Sequence, residues 1–383
     1  MTERLKILLS GMVAGDPGQG GASWAVLQYV AGFAELGHEV LLVEPVSRRG
    51  SGGPAIRPET IEYFRRLPLL EGRGALLAAG SQETVGVSYE RIAAFAEDAD
   101  VLINVSGMLR DERLLEAVAV RAFLDLDPGF NQVWQQSGED MGIERHTHAV
   151  TVGQSVGRAG CPIPTCDRSW IPTLPPVALT HWPAAAPPPA TGAFTSIGHW
   201  RSYGSIEHGG IHYGQRAHSL RQLVDLPLLS RSRFELALGI HPEEVADLEL
   251  LRRGGWRLLD PGEVAATPVS YAGFIRGSKA ELSVAKSGYV ASRSGWFSDR
   301  SACYLASGRP VVAQDTGFTD FLPTGEGLLA FDDTESAAAA VAAVEADPDR
   351  HSRAARSLAE EHLDARKVLT SLLERLGSAA AGN

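Results

Sequence analysis

Three stretches of the chain gather residue types that could bind and move an anionic group. GDPGQGG (15–21) sets Asp16 in a loop with Gly18, Gly20 and Gly21. Glycines let a backbone approach a ligand closely, and a helix starting just beyond would offer unpaired N–H groups and a partial positive charge. The other reading is a tight strand-to-helix turn. SDRS (298–301) offers Ser298 or Asp299 as an N-cap, leaving the N–H groups of Arg300 and Ser301 to meet a diphosphate that the Arg300 side chain would neutralise. Its plainer reading is a capped helix with a surface arginine. The segment 196–219 collects His199, His208, His212 and His218 with Arg201 and Arg216.

Spacing narrows the chemistry. A dinucleotide loop reads G-x-G-x-x-G; Gly18 and Gly20 match, but position 23 is Ser. Glu44 does stand near the end of the next apolar run, where a ribose-binding acid is expected. No Gly-Lys-Ser/Thr follows, so the loop is not a P-loop, and its length suits a bulkier ligand. Cys161 and Cys166 in CPIPTC have no second cysteine pair downstream, which argues against a closed zinc site. The histidines of 196–219 could bind zinc, but no cysteine or carboxylate completes a regular spacing.

These residues need elements to hold them. The 383 residues amount to about two or three domains. With 35 basic and 46 acidic residues, the net charge of −11 argues against coating nucleic acid or an anionic membrane. No apolar run approaches the roughly 20 residues of a bilayer span, and the start is too short for a signal peptide, so the expected compartment is the cytoplasm.

Apolar runs alternate with helical patterns, which implies parallel sheets. The first unit is a strand at LKILLSGMV, the loop, a helix over 23–36 and a strand over 40–43. Strands follow at 101–105, 122–126 and 148–152. Residues 58–98 read as mostly helical, with a glycine-rich break near 72–80. The prolines of 160–192 preclude a long helix and mark an irregular edge, with the domain boundary near 186–192. A second unit starts with strands at 194–198, 234–239 and 256–259. A short helix at 280–286, a short strand at 288–292, a helix at 299–307 and a strand at 310–314 come next. Helices at 334–346 and about 350–376 close the chain.

GWFSDRSACYLASGRPVVAQDTGF (295–318) resembles the donor-binding segment of GT-B glycosyltransferases, and residues 6–45 resemble the opening of the same fold. The resemblance implies an α/β protein of two Rossmann-like doubly wound domains facing a central cleft. It divides into an acceptor-binding domain over 1–188, a nucleotide-sugar-binding domain over 189–350, and a C-terminal helix with a frayed tail over 351–383. It implies a hexosyl-type transferase that moves a sugar from a nucleotide-diphosphate donor to a small-molecule or glycan acceptor, with no cofactor and no bound metal. Donor contacts would come from Arg201 first and Arg216 second, with Ser298, Asp299, Arg300, Ser301, Thr316 and Gly317. Gly18, Gly20 and Gly21 would line the acceptor side. An inverting route needs a base, for which Asp16 is best placed and Asp127 next.

Asp125 and Asp127 resemble the Asp-x-Asp of metal-dependent GT-A enzymes, but a strand end followed by Pro128-Gly129 reads as a turn or an acceptor contact. Retaining GT-B enzymes often carry a Glu-x7-Glu pair, and the matching positions here are Gly295 and Cys303. The partners expected are the donor and a sugar acceptor, without nucleic acid or an integral membrane segment; the oligomeric state is left open. A nucleotide-sugar epimerase and a non-catalytic ligand-binding protein are the alternatives.

Overall fold

The computed structural model describes residues 4–47, 56–187 and 191–380. Two parallel sheets organise them. The first is built from β1 (Lys6–Ser10), β2 (Glu39–Val46), β3 (Gly74–Ala78), β4 (Thr84–Gly86), β5 (Val101–Val105), β6 (Val120–Asp125), β7 (His148–Thr151) and β8 (Trp170–Pro172). Their order is β4-β3-β2-β1-β5-β6-β7-β8, and only the β3–β4 pair is antiparallel. In register, Ile7 faces Val40 on one side and Val101 on the other. Ile7, Leu8 and Leu9 are fully buried, as expected of strands covered by helices on both faces.

The second half starts with β9 (Ala193–His199). It continues with the hairpin β10 (Ile206–His208) and β11 (Ile211–Tyr213), then β12 (Arg233–Gly239), β13 (Arg257–Leu259), β14 (Ala280–Ser283), β15 (Val311–Gln314) and β16 (Leu328–Phe331). The six-stranded order is β13-β12-β9-β14-β15-β16, parallel throughout.

In both sheets the chain winds outward one way from a central strand and then returns to its other flank. The reversals fall between β1 and β5 and between β9 and β14. Open α/β sheets bind ligands outside the carboxyl ends of their strands at such reversals.

Several sequence expectations need correction. The break at 72–80 is the core strand β3, where Ala75, Leu76 and Leu77 are helix formers overridden by burial between neighbours. The assignments at 280–292 are exchanged: β14 is the strand, and Ser287–Ala291 is the helix. A four-residue apolar run has no period that separates the two forms. The proline-rich edge contributes β8, an outer strand where Pro172 needs no ladder donor.

The single closing helix is instead Pro348–Leu358, a π-helical turn at Ala359–Leu363, and Ala365–Ala380. Asp364 interrupts it with extended backbone and caps the last helix by accepting from Arg366 N at 3.0 Å. That helix runs back over the first half. A Cβ on Gly32 would lie 2.6 Å from Leu369 Cδ1, so glycine lets the two helices approach. The expected frayed tail is helical as far as Ala380, and 381–383 lie outside the described residues. The expected junction at 188/189 also falls outside them, between the last strand of one sheet and the first of the other.

Candidate donor and acceptor cleft

The carboxyl ends of the two sheets face each other, and contacts cross between them. Gln19, in the loop after β1, pairs through Oε1 with His199 Nε2 at 3.0 Å at the end of β9. Gln19 Nε2 also donates to Asp16, so that acid lies beside the crossing. Ser155 N donates to Ser294 O at 3.0 Å, and Gly153 bridges Trp296.

Gly20 and Gly21 lie at this junction, but they serve packing. Gly20 N donates to Ala265 O at 3.0 Å, and a Cβ on Gly21 would be 2.8 Å from Tyr271 Cε2. Both face protein from the other half and not an open ligand site, contrary to the sequence expectation. Gly18 alone of the three has open space at its Cβ position, with φ +92°.

Arg216 sits at the reversal of the second sheet. It opens the helix Arg216–Gln222, and its guanidinium reaches back across the strand ends. Nε donates to Val284 O at 3.0 Å beyond β14, and Nη1 to Ile197 O and His199 O at 3.4 Å on β9. A side chain at Gly198 would collide with Nη1, so the glycine (φ +146°) makes room for the cation. Burial and the neighbouring Arg300 lower its pKa to about 9, which leaves it charged at neutral pH. Among the described residues no carboxylate pairs with it directly.

Arg201 is placed differently. It pairs with Glu244 at 2.6 Å and approaches Asp247 at 3.9 Å beside the helix Val245–Arg253. Arg201, expected first, is thus held by acidic partners beside that helix, whereas Arg216, expected second, lies at the reversal itself.

The tip of the helix Asp299–Ala306 is inward and self-capped. Ser298 is the N-cap, as expected, but its hydroxyl takes the Arg300 N–H at 3.2 Å, one of the amides assigned to the diphosphate. The Arg300 guanidinium is also spent internally: Nε donates to Glu281 at 2.5 Å, Nη1 to Ile197 O at 3.0 Å and Nη2 to Ser283 Oγ at 3.0 Å. Ser301 Oγ donates to Ser283 Oγ at 3.1 Å. These residues brace β9 and β14 from below. Asp299 borders a cavity of about 20 Å³ with Tyr29, Leu126 and Trp296, room for a water but not a sugar. Burial raises its pKa. Thr316 donates to Trp296 O at 2.5 Å, and Gly317 (φ +90°) turns the chain after β15 against the Arg293 backbone.

Asp127 lies at the end of β6 and takes partners from the other half. Lys286 Nζ donates to it at 2.9 and 3.1 Å, and the hydroxyls of Tyr203 and Tyr289 also donate to it. Lys286 is further held over the rings of Phe130, Tyr203 and Tyr289 at 5.0, 4.2 and 5.4 Å. Burial lowers its pKa, and Asp127 pulls the other way. Sequence reasoning missed Lys286. Its signal was one of only four lysines, standing three residues past a strand end. Asp125 is fully buried and accepts from Asn131, Gln132 and Thr151, so it shapes the turn. Among the described residues no three His, Cys, Asp or Glu side chains are grouped to hold a metal ion.

Residues 251–373 match a family model described as glycosyl transferase-like. No curated protein matches in sequence at a significant level. Solved structures match over almost the whole chain. An alpha-glucosyltransferase in complex with UDP has a TM-score of 0.62 at 12% identity, covering 97% of this chain and 99% of its own. The same type of enzyme with UDP and mismatched DNA gives 0.60 at 13% identity, with coverages of 98% and 100%. HepE from Anabaena with UDP and glucose gives 0.55 at 11%, covering 98% and 100%. The fold is GT-B. In the GT-B frame β1 to β8 form the N-terminal sheet, and β9 with β12 to β16 the C-terminal sheet, across whose strand ends Arg216 reaches. No helix among the described residues is long and apolar enough to cross a membrane.

Proposed function

We propose that this GT-B protein is a glycosyltransferase that draws its sugar from a UDP-sugar. The second half (189–350) holds the donor, the first (1–188) presents the acceptor, and 351–383 binds the halves together. The observation that carries this reading is Arg216: a charged guanidinium held at the reversal of the second sheet with no carboxylate paired to it among the described residues. A leaving diphosphate develops charge as the glycosidic bond breaks, and a fixed cation in a sparsely hydrated site stabilises that charge most. The UDP-bound structures that share the fold support uracil as the base.

On the acceptor side, Asp16 is the base we assign, since it lies in the loop after β1 beside the Gln19–His199 crossing. Asp127 is less suited, because three donors already occupy its carboxylate. Two solved relatives hold DNA or glucose beside UDP. The net charge of −11 favours a small-molecule or glycan acceptor here. Neither a cofactor nor a metal enters the scheme.

The test is a thermal-shift series with UDP, dTDP, GDP and ADP, followed by UDP release from UDP-glucose. Binding to the folded state raises the melting temperature by mass action. UDP should give the largest shift. A flat response to all four nucleotides would end the proposal.

A further inference from the structure

Glu44 is engaged elsewhere than in the ribose contact that its position suggests. It is fully buried at the end of β2, and its carboxylate turns towards the loop after β1. Ala14 N donates to Oε2 at 2.8 Å and Gly15 N to Oε1 at 2.6 Å. Those amides, between a central strand and a helix start, are where a doubly wound fold commonly receives a phosphate. Here the chain supplies a carboxyl group. Gly15 is fitted to it: a Cβ there would lie 2.7 Å from Oε1. The same loop is held by Ser23 Oγ, which donates to Val13 O at 2.7 Å, and by Arg57 Nη2, which donates to Gly15 O at 2.6 Å. The next residue is Asp16.

We infer that Glu44 is a positioning residue, an internal carboxyl group that fills the phosphate-type cradle of the first half and fixes the backbone from which Asp16 reaches the acceptor. Two consequences follow. The first half cannot take a nucleotide phosphate at this cradle, so donor binding is confined to the second half. A loop that lost the carboxylate would expose two buried amides and release Asp16, while the Arg216 site remained intact. The inference rests on the assignment of Asp16 to the acceptor side.

The experiment uses the full chain and the variants Glu44→Ala and Glu44→Gln, the second nearly conserving volume should the first fold poorly. UDP release from UDP-glucose, with water as acceptor, should fall at least tenfold in kcat for both, and the UDP Kd should stay within twofold. Formate, a free carboxylate small enough for the vacated space, should restore a substantial part of kcat to Glu44→Ala. Chloride at equal ionic strength should not. Amide exchange at Ala14 and Gly15 should quicken in Glu44→Ala and slow again with formate. Unchanged kcat, no rescue, or unaltered exchange at these amides overturns the inference. A wild-type protein that turns over no donor defeats the functional reading instead, and the exchange measurement still decides whether Glu44 clamps the loop.

Discussion

The Arg216 guanidinium donates to the Val284 carbonyl at 3.0 Å, tying the helix after β11 to the chain leaving β14. One side chain thus spans the reversal of the second sheet and brings a positive charge to the place where such folds receive ligands. Removing it should act on donor binding. Arg216→Met is expected to weaken UDP binding at least tenfold by calorimetric titration. Arg216→Lys should recover only part of the loss, because a point charge cannot reach Val284, Ile197 and His199 together. Arg201→Ala, on the Glu244 side, should change the UDP Kd less than twofold.

Arg300 belongs to the frame. Its removal leaves Glu281 buried without its cation, a loss of about 3–5 kcal/mol by analogy with broken buried pairs. Glu281 Oε2 already lacks a hydrogen-bond partner. Arg300→Met should therefore lower the urea midpoint sharply, and adding Glu281→Leu should recover much of the stability. A single variant as stable as the parent would contradict the bracing role.

Asp16 and Asp127 can be separated by rate. Positioned general bases contribute about 10²–10⁴-fold. Asp16→Asn is expected to lower kcat by at least 100-fold with unchanged UDP affinity. Asp127→Asn should cost less in kcat but destabilise the closed pairing with Lys286, read as faster proteolysis between the halves. The reverse ranking in kcat would move the base to Asp127.

Acid should destabilise the fold through His146. Burial lowers its pKa to about 4, and the neutral ring is held between Asn104 Nδ2 at 3.0 Å and Gly142 O at 2.8 Å. The unfolded chain takes up the proton near pH 6.5, well before the folded one does. The stability linked to this residue is therefore present above pH 6.5 and is lost as pH falls towards 4, by about 3 kcal/mol in all. Glu44 acts oppositely: burial pushes its pKa up to about 7, so its ionisation costs stability as pH rises through 7. Unfolding free energies of His146→Gln and Glu44→Gln across pH 4–8 should each flatten the matching limb.

The fold was largely legible because its central strands are short apolar runs bounded by glycine loops, such as Ile7–Leu9 and the β15 segment VVAQ. Where local preference and burial disagreed, as at Ala75–Leu77, the pattern misled. The site was less legible. Arg201 and Arg216 look alike in sequence; only the path of the chain sends one to Glu244 and the other to the strand ends. Arg300 follows a true cap, but the face of the helix on which it falls is set by Glu281, a residue 19 positions away. Glu44 was noticed as an acid at a strand end, yet its partner is a backbone that no side-chain pattern reveals.

The final helix has a mechanical consequence. The polypeptide passes between the halves twice, and the passages are stitched together where Val177 N donates to Leu363 O at 2.8 Å and Ala365 N to Val177 O at 2.9 Å. A double tether of this kind acts as a clasp. The closing segment is thereby anchored beside the crossover of the chain, so the seam resists separation at the same edge where both passages lie.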